Sequence, residues 1–295
     1  MNKIIVFILV LLGILILINI FYAPETFSVN ESQYILPKMI YGYWHNLETN
    51  EIIKSNIKTW YKHVPKGWKI IILNRKNVEN YVSKEFMKKY SNLDATRFSD
   101  FLRVELLKNN GGLWMDTSII LVNGNFLDKY YDEMHKNKYD VCVYEYKQRT
   151  IDPIMPYLEN WFIMAPKNSR YIVDLYEEFD KAFNMGFIKY KKDILLASKV
   201  NLTNTLTTRP DETYLMQHAI INYLLYSGKK YKMNIKDSQE SMFKIQNIVR
   251  WNNQRTINYI LNNNNWKGFY AIKLIGSMRK HITNPNKYMA KLQSI

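Results

Sequence analysis

Residues Asp94 to Leu121 constrain this chain more than any other stretch. Phe98, Phe101, Leu102, Val104, Leu106 and Leu107 fall on nearly every side of a helical projection, so their spacing predicts a buried helix. Gly111 and Gly112 end it, where a left-handed C-terminal residue favours glycine. Leu113, Trp114 and Met115 then read as a short apolar strand, with Asp116 at its carboxyl end. In open α/β sheets ligands bind beyond the carboxyl ends of strands. Asp100 and Arg103 stand one turn apart inside the helix and share a face. Charges on a buried helix must pair or must line a cleft, and both readings stand.

The chain before and after this stretch alternates strand and helix patterns. Met39 to Trp44 reads as a buried first strand that His45 ends. Ile52, Ile53, Ile57 and Trp60 recur at helical spacing between Glu51 and Tyr61. Pro65-Lys66-Gly67 is a turn, and Trp68 to Leu73 is a second strand. A strand–helix–strand unit predicts parallel, right-handed pairing. One or two short helices are expected over Asn77 to Tyr90. Arg97 opens the central helix at the same three-residue step as Asp100 and Arg103, so the three groups can converge. Further strands are expected at Ser118 to Val122, Asp140 to Tyr146 and Trp161 to Ala165. Helices are expected at Tyr171 to Phe183, Tyr190 to Ser198 and from Thr208 to about Tyr226. Residues Tyr270 to His281 alternate and then turn basic. Such alternation is an α/β pattern, and no internal repeat interrupts it.

Composition narrows the function classes. Hydrophobic residues make up 47% of the 295 and aromatics 15%, which excludes a disordered chain. Lys and Arg number 41 against 26 Asp and Glu, a net charge of +15. That balance suits nucleic acid, an anionic membrane surface or a phosphate-bearing substrate. The lysines are scattered rather than massed, so no nucleic-acid partner is expected. Cys142 is the single cysteine, which excludes an internal disulfide and a cysteine-based metal site.

Ile4 to Ile18 is wholly apolar apart from Gly13, and Ile20 to Tyr22 extend the run. A membrane-spanning helix needs about 20 such residues. Lys3 precedes the run, and Glu25 and Glu31 follow it, so the N-terminus is expected in the cytoplasm and the domain on the far side. Phe21 and Ala23 before Pro24 make a poor cleavage site, which favours an uncleaved single-pass anchor over a signal peptide. The expected organisation is an anchor at 1–22, a stem at 23–35 and one domain at 36–295. Asn30-Glu31-Ser32 and Asn201-Leu202-Thr203 fit a glycosylation pattern that is common by chance in an Asn-rich chain.

Ser99, Asp100, Arg103, Leu107, Gly111, Gly112, Trp114 and Asp116 together resemble the signature of GT-A glycosyltransferases. The closest resemblance is to the capsular polysaccharide synthesis protein family and to relatives with a DXD sugar-binding region, such as the initiating α-mannosyltransferases. Pro37, Lys38, Ile40, Trp44 and His45 resemble the opening of the same families, and Lys273, Leu274 and Arg279 their C-terminal segment. The resemblance implies a Rossmann-like GT-A fold, a nucleotide-sugar donor, a glycan or polysaccharide acceptor, and retention at the anomeric carbon. It implies that Asp116, Asp100 and Arg103 face the donor sugar, with Tyr43, Trp44 and His45 beside the base and ribose. Trp44 as a core residue is the alternative. Arg97 joins the same cleft. Asn160 and Trp161 match a wall near the acceptor. Asp211 either faces the sugar or only favours the dipole of its helix. Lys273 and Arg279 either close over the pyrophosphate or belong to a solvated tail. The family's divalent ion, Mn²⁺ or Mg²⁺, is implied at Asp116, but Ser118 stands where the second carboxylate belongs and is a poor ligand for a hard cation. That departure leaves a non-catalytic nucleotide-sugar or glycan binder as the alternative function. At an open strand end, removal of Asp116 is expected to change stability little.

Overall fold

Ile40 to Tyr43 are buried in strand β1 (Met39–Tyr43), and β1 lies parallel to β2 (Lys69–Leu73) in the register Met39 to Lys69 through Tyr43 to Leu73. The computed structural model describes residues 34–202, 204–206 and 213–295. The anchor at 1–22, the stem as far as residue 33, the helix start at Thr208 and the site candidate Asp211 lie outside the described residues. Among the described residues no helix is long and apolar enough to cross a membrane. The folded unit is Ile35–Ile295.

Helix α1 (Glu51–His63) connects β1 to β2, capped by the Asn50 side chain, which accepts from the Ile53 amide. After α2 (Lys84–Tyr90) comes the central helix α3 (Ala95–Asn110). It starts two residues before Arg97 because the Asp94 carboxylate accepts from the Thr96 and Arg97 amides. The guanidiniums of Arg97 and Arg103 and the Asp100 carboxylate are buried along with the apolar residues of α3. Tyr90, Phe101 and Phe179 stack in a column with centroid distances of 4.1 and 4.3 Å, each contact worth about 0.5–1.5 kcal/mol beyond burial.

Gly111 and Gly112 turn the chain from α3 into β3 (Gly112–Met115) at φ of +69° and +109°. A Cβ on Gly111 would stand 2.5 Å from the Lys167 amide nitrogen, and one on Gly112 2.8 Å from the Met39 carbonyl oxygen. Conformation and space therefore both demand glycine here.

β3 pairs parallel with β1 and antiparallel with β6 (Leu158–Ala165). β5 (Val141–Glu145) pairs antiparallel with β6 and parallel with β7 (Met233–Asp237). The six-stranded order is β2-β1-β3-β6-β5-β7. This mixed, parallel-rich sheet meets the α/β expectation. Because β6 runs opposite to β3, its first residues share an edge with Asp116. A second, two-stranded sheet joins β4 (Ile119–Leu121) to β8 (Ala271–Lys273). Hence Lys273 lies in a buried strand, not in a solvated tail. Helix α4 (Asn125–Asn137) packs on the main sheet through Phe126 and Tyr130, which meet Phe162 and Tyr144. Helices α5 (Arg170–Met185) and α6 (Met216–Tyr226) share one apolar core with α3 and the sheet. α7 (Asn253–Asn262) and α8 (Pro285–Gln293) pack over the small sheet.

Candidate active site

Asp116 leaves β3 and its amide donates to the Trp161 carbonyl at 2.9 Å. The loop that follows is held on all sides. Thr117 Oγ1 donates to the Tyr43 carbonyl at 3.1 Å, and Asn56 Nδ2 donates to the Thr117 carbonyl at 3.2 Å. Tyr288 Oη, from α8, donates to Asn56 Oδ1 at 2.7 Å. Trp60 Nε1 donates to the Ile119 carbonyl at 2.8 Å. The loop between β3 and β4 is thus positioned by buried groups from α1 and α8.

Asp116 is paired through both oxygens. Oδ1 accepts from Trp114 Nε1 at 2.9 Å and from Arg103 Nη2 at 3.4 Å. Oδ2 accepts from Lys273 Nζ at 2.6 Å. The same ammonium donates to Ser118 Oγ at 2.6 Å. Burial pushes the Asp116 carboxyl up, yet the Lys273 ammonium and the Arg103 guanidinium outweigh burial and hold it below the usual carboxylate range. Burial pulls Lys273 below the ordinary lysine value against the field of Asp116. Asp116 is thus a member of a charge network and not a solitary strand-end carboxylate, which overturns the expectation that it matters little to stability.

The network continues into α3. Arg103 Nη1 donates to Asp100 Oδ1 at 2.5 Å and to Gln217 Oε1 at 2.8 Å. Gln217 Nε2 donates to the Asp100 carbonyl at 2.7 Å, and Asn160 Nδ2 donates to Gln217 Oε1 at 2.9 Å. Arg97 Nη1 reaches Asp100 Oδ2 at 3.4 Å, and its Nη2 donates to the Thr213 carbonyl at 2.8 Å. The two readings of Asp100 and Arg103 are therefore not exclusive: they are a buried ion pair that also touches Asp116 through Arg103.

The Tyr43 ring lies in the core, 5.4 Å from Phe98, and burial pushes its hydroxyl up to about 12. Trp44 is half-buried under the Arg279 guanidinium, 5.2 Å from its ring centroid, and His45 beside it is exposed. Arg279 lies in a short helix, Gly276–Arg279, one turn beyond β8. Lys273 Nζ is 6.0 Å from the Trp161 ring.

Gln217, Glu159 and His218 were absent from the expected site. His218 Nε2 lies 3.6 Å from Glu159 Oε2, and its ring is 5.0 Å from Tyr157. A signal for Gln217 and His218 did exist: they are adjacent polar residues in the otherwise apolar start of α6, and a helix buried on all sides must pair its polar groups. Trp44 Nε1, Trp161 Nε1 and both ring nitrogens of His218 are buried without a hydrogen-bond partner among the described residues. Orphaned buried polar groups cost about 1–3 kcal/mol each, and Trp161, whose ring lies 6.0 Å from Lys273 Nζ, places one of them beside the charge network.

A divalent ion does not fit the described residues around Asp116 and Ser118. The position between Asp116 and Ser118 is filled by the Lys273 ammonium, and both Asp116 oxygens already accept from protein donors. Among the described residues no group of three His, Cys, Asp or Glu side chains could hold a metal. A hard cation takes about six oxygen ligands, and an ammonium in direct contact repels it.

The mixed, parallel-rich sheet carries Asp116, Arg103 and Lys273 at the carboxyl edge of its parallel strands, where the Ser99–Asp116 signature implies a glycosyltransferase site. The chain belongs to the capsular polysaccharide synthesis protein family, whose sequence profile matches residues 18–289. Among solved structures it is similar to the glycosyltransferase GlyE of Streptococcus pneumoniae TIGR4, at 7% identity and a TM-score of 0.43, over 88% of this chain and 64% of that one. It therefore spans less than two thirds of the GlyE chain. It is also similar to the galactosyltransferase LgtC in complex with donor and acceptor sugar analogues, at 10% identity and a TM-score of 0.41, over 87% of this chain and 96% of that one. The PaToxG glycosyltransferase overlaps at 11% identity and a TM-score of 0.39, over 88% of this chain and 87% of that one. These are loose likenesses of fold, and the family assignment rests on the sequence match. No curated protein matches.

Proposed function

We propose that this protein moves a sugar from a nucleotide-sugar donor to a glycan or polysaccharide acceptor, with retention at the anomeric carbon. The observation that carries the reading is the Asp116 network at the carboxyl edge of the sheet, shared by Arg103, Asp100 and Lys273. In the transfer, the bond from the anomeric carbon to the β-phosphate oxygen breaks and its electron pair leaves on the diphosphate. The acceptor hydroxyl oxygen bonds that carbon, and its proton passes to the departing phosphate oxygen. No enzymic base is required. What the chain must supply is stabilisation of the charge that develops on the diphosphate. Asp100, Arg103 and Asp116 orient the sugar hydroxyls. Arg279 and Trp44 stand on the nucleotide side, where an aromatic face can stack on a base.

The apolar run Ile4 to Ile18 supports a membrane anchor with the N-terminus in the cytoplasm and the domain beyond the bilayer. Protease added to the cytoplasmic face of sealed vesicles should spare the domain, and cleavage there would reverse this topology.

The activity is tested with the full chain in detergent, incubated with a panel of UDP- and GDP-sugars. Release of nucleoside diphosphate from at least one donor is expected. Donor binding without release would favour a non-catalytic binder, and neither binding nor release would sink the assignment.

A further inference from the structure

The misfit of a divalent ion has a positive counterpart. We propose that Lys273 is a built-in counter-ion that takes the place of a metal, so that this chain binds the donor diphosphate and stabilises its departure without a divalent cation. The inference rests on the glycosyltransferase reading above and concerns the same cleft.

Three observations carry it. First, the ammonium is seated where an ion would be, 2.6 Å from Asp116 Oδ2 and 2.6 Å from Ser118 Oγ. Second, the seat is built rather than incidental. Lys273 is buried in β8 opposite Ile119, and its amide donates to the Met242 carbonyl at 2.9 Å. Gln246 Nε2 donates to the Lys273 carbonyl at 2.5 Å, fixing the strand from behind. Third, the hydroxyl at the position of a second carboxylate is matched in charge. A neutral Ser118 accepts from an ammonium, whereas a second aspartate there would have favoured a dication. Arg279 adds a second cation near the same carboxylate, and it makes only one long hydrogen bond among the described residues, at 3.5 Å to the Leu274 carbonyl.

The physical consequence follows from the charge each device supplies. A dication is coordinated by the phosphates and exchanges with solvent. A lysine held by its own strand and an arginine six residues later present their positive charge before the donor arrives, without the loss of a hydration shell. The geometry also explains why Asp116 is retained when it holds no ion: a carboxylate is needed to keep the ammonium charged and oriented.

The test uses the full chain in detergent and reads binding of UDP and GDP by calorimetry, in excess chelator and in Mn²⁺. Affinity for the preferred nucleotide is expected to be the same within about twofold in both. Lys273→Met should weaken binding in chelator at least tenfold. Because that variant removes the shortest of the three contacts that hold Asp116 and can unfold, Arg279→Ala is measured alongside and should weaken binding several-fold with the thermal transition unchanged. Nucleotide binding that requires Mn²⁺ would overturn the proposal while leaving the glycosyltransferase reading intact. Binding in chelator that is unaffected by both substitutions would also overturn it. Failure of UDP and GDP to bind under either condition would remove both readings together.

Discussion

Arg103 on α3 and Gln217 on α6 meet at 2.8 Å, although 114 residues separate them in the chain. Gln217 also accepts from Asn160 and donates to the Asp100 carbonyl, so one amide joins two helices and a sheet edge. Substitution Gln217→Leu keeps the volume and strands these partners. A stability loss of about 1–3 kcal/mol is expected in urea denaturation, together with at least a tenfold fall in donor turnover. Unchanged stability would show that the amide is not shared as described.

Asp100 is 5% exposed and lies between Arg103 and Arg97. Asp100→Asn keeps the shape and removes the charge. The expected cost is ~3–5 kcal/mol, as when one partner of a buried pair is removed. A thermal transition equal to that of the parent would refute the burial of this pair.

Asp116→Ala should abolish transfer and also destabilise the fold, since among the described residues it leaves the buried Lys273 ammonium with Ser118 as its remaining side-chain hydrogen-bond partner. The double variant Asp116→Ala/Lys273→Met should recover part of the lost stability and none of the activity. A double-mutant cycle with coupling below about 0.5 kcal/mol would show that the two act independently.

Gly112→Ala places a Cβ 2.8 Å from the Met39 carbonyl at a φ of +109°. β1 and β3 are hydrogen-bonded neighbours and cannot both stay in register around it. A loss above about 1 kcal/mol is expected, because alanine is strained where φ is positive. An alanine variant as stable as the parent would contradict this close approach.

The α2–α5 contact makes stability pH-dependent. Burial pushes the Asp180 carboxyl up, but Lys89 and the Tyr90 hydroxyl outweigh it and hold it below the ordinary range. A depressed carboxylate contributes stability that is complete above its unfolded value, about 3.9, and is lost as pH falls through the lower folded value. Asp180→Asn should therefore flatten the decline of the urea midpoint below about pH 4. An unchanged acid limb would show that Asp180 contributes nothing to it.

Much of this protein was legible from local sequence, because local interactions decide those parts. The buried helix over Ala95–Asn110, the glycine turn and the strand that ends before Asp116 follow from apolar spacing and from two positive-φ positions. The parallel β1–β2 unit follows from its strand–helix–strand pattern. Strand β7 was not legible. Its apolar residues, Met233 and Ile235, are too few to mark a strand, and the fold buries the polar Asn234 between them, whose amide donates to Glu133. What lay beyond reach was the set of partners. Whether Asp100 and Arg103 pair or line a cleft cannot be read from a spacing of three, since both geometries share it. Lys273 read as tail or cleft with equal ease, until pairing with β4 placed it against Asp116 across 157 residues. Sequence determined that Asp100 and Arg103 would be buried, through the apolar residues of their own helix. Only the tertiary structure decided which charges neutralise one another, because Coulomb and hydrogen-bond energies depend on distances that the fold alone sets.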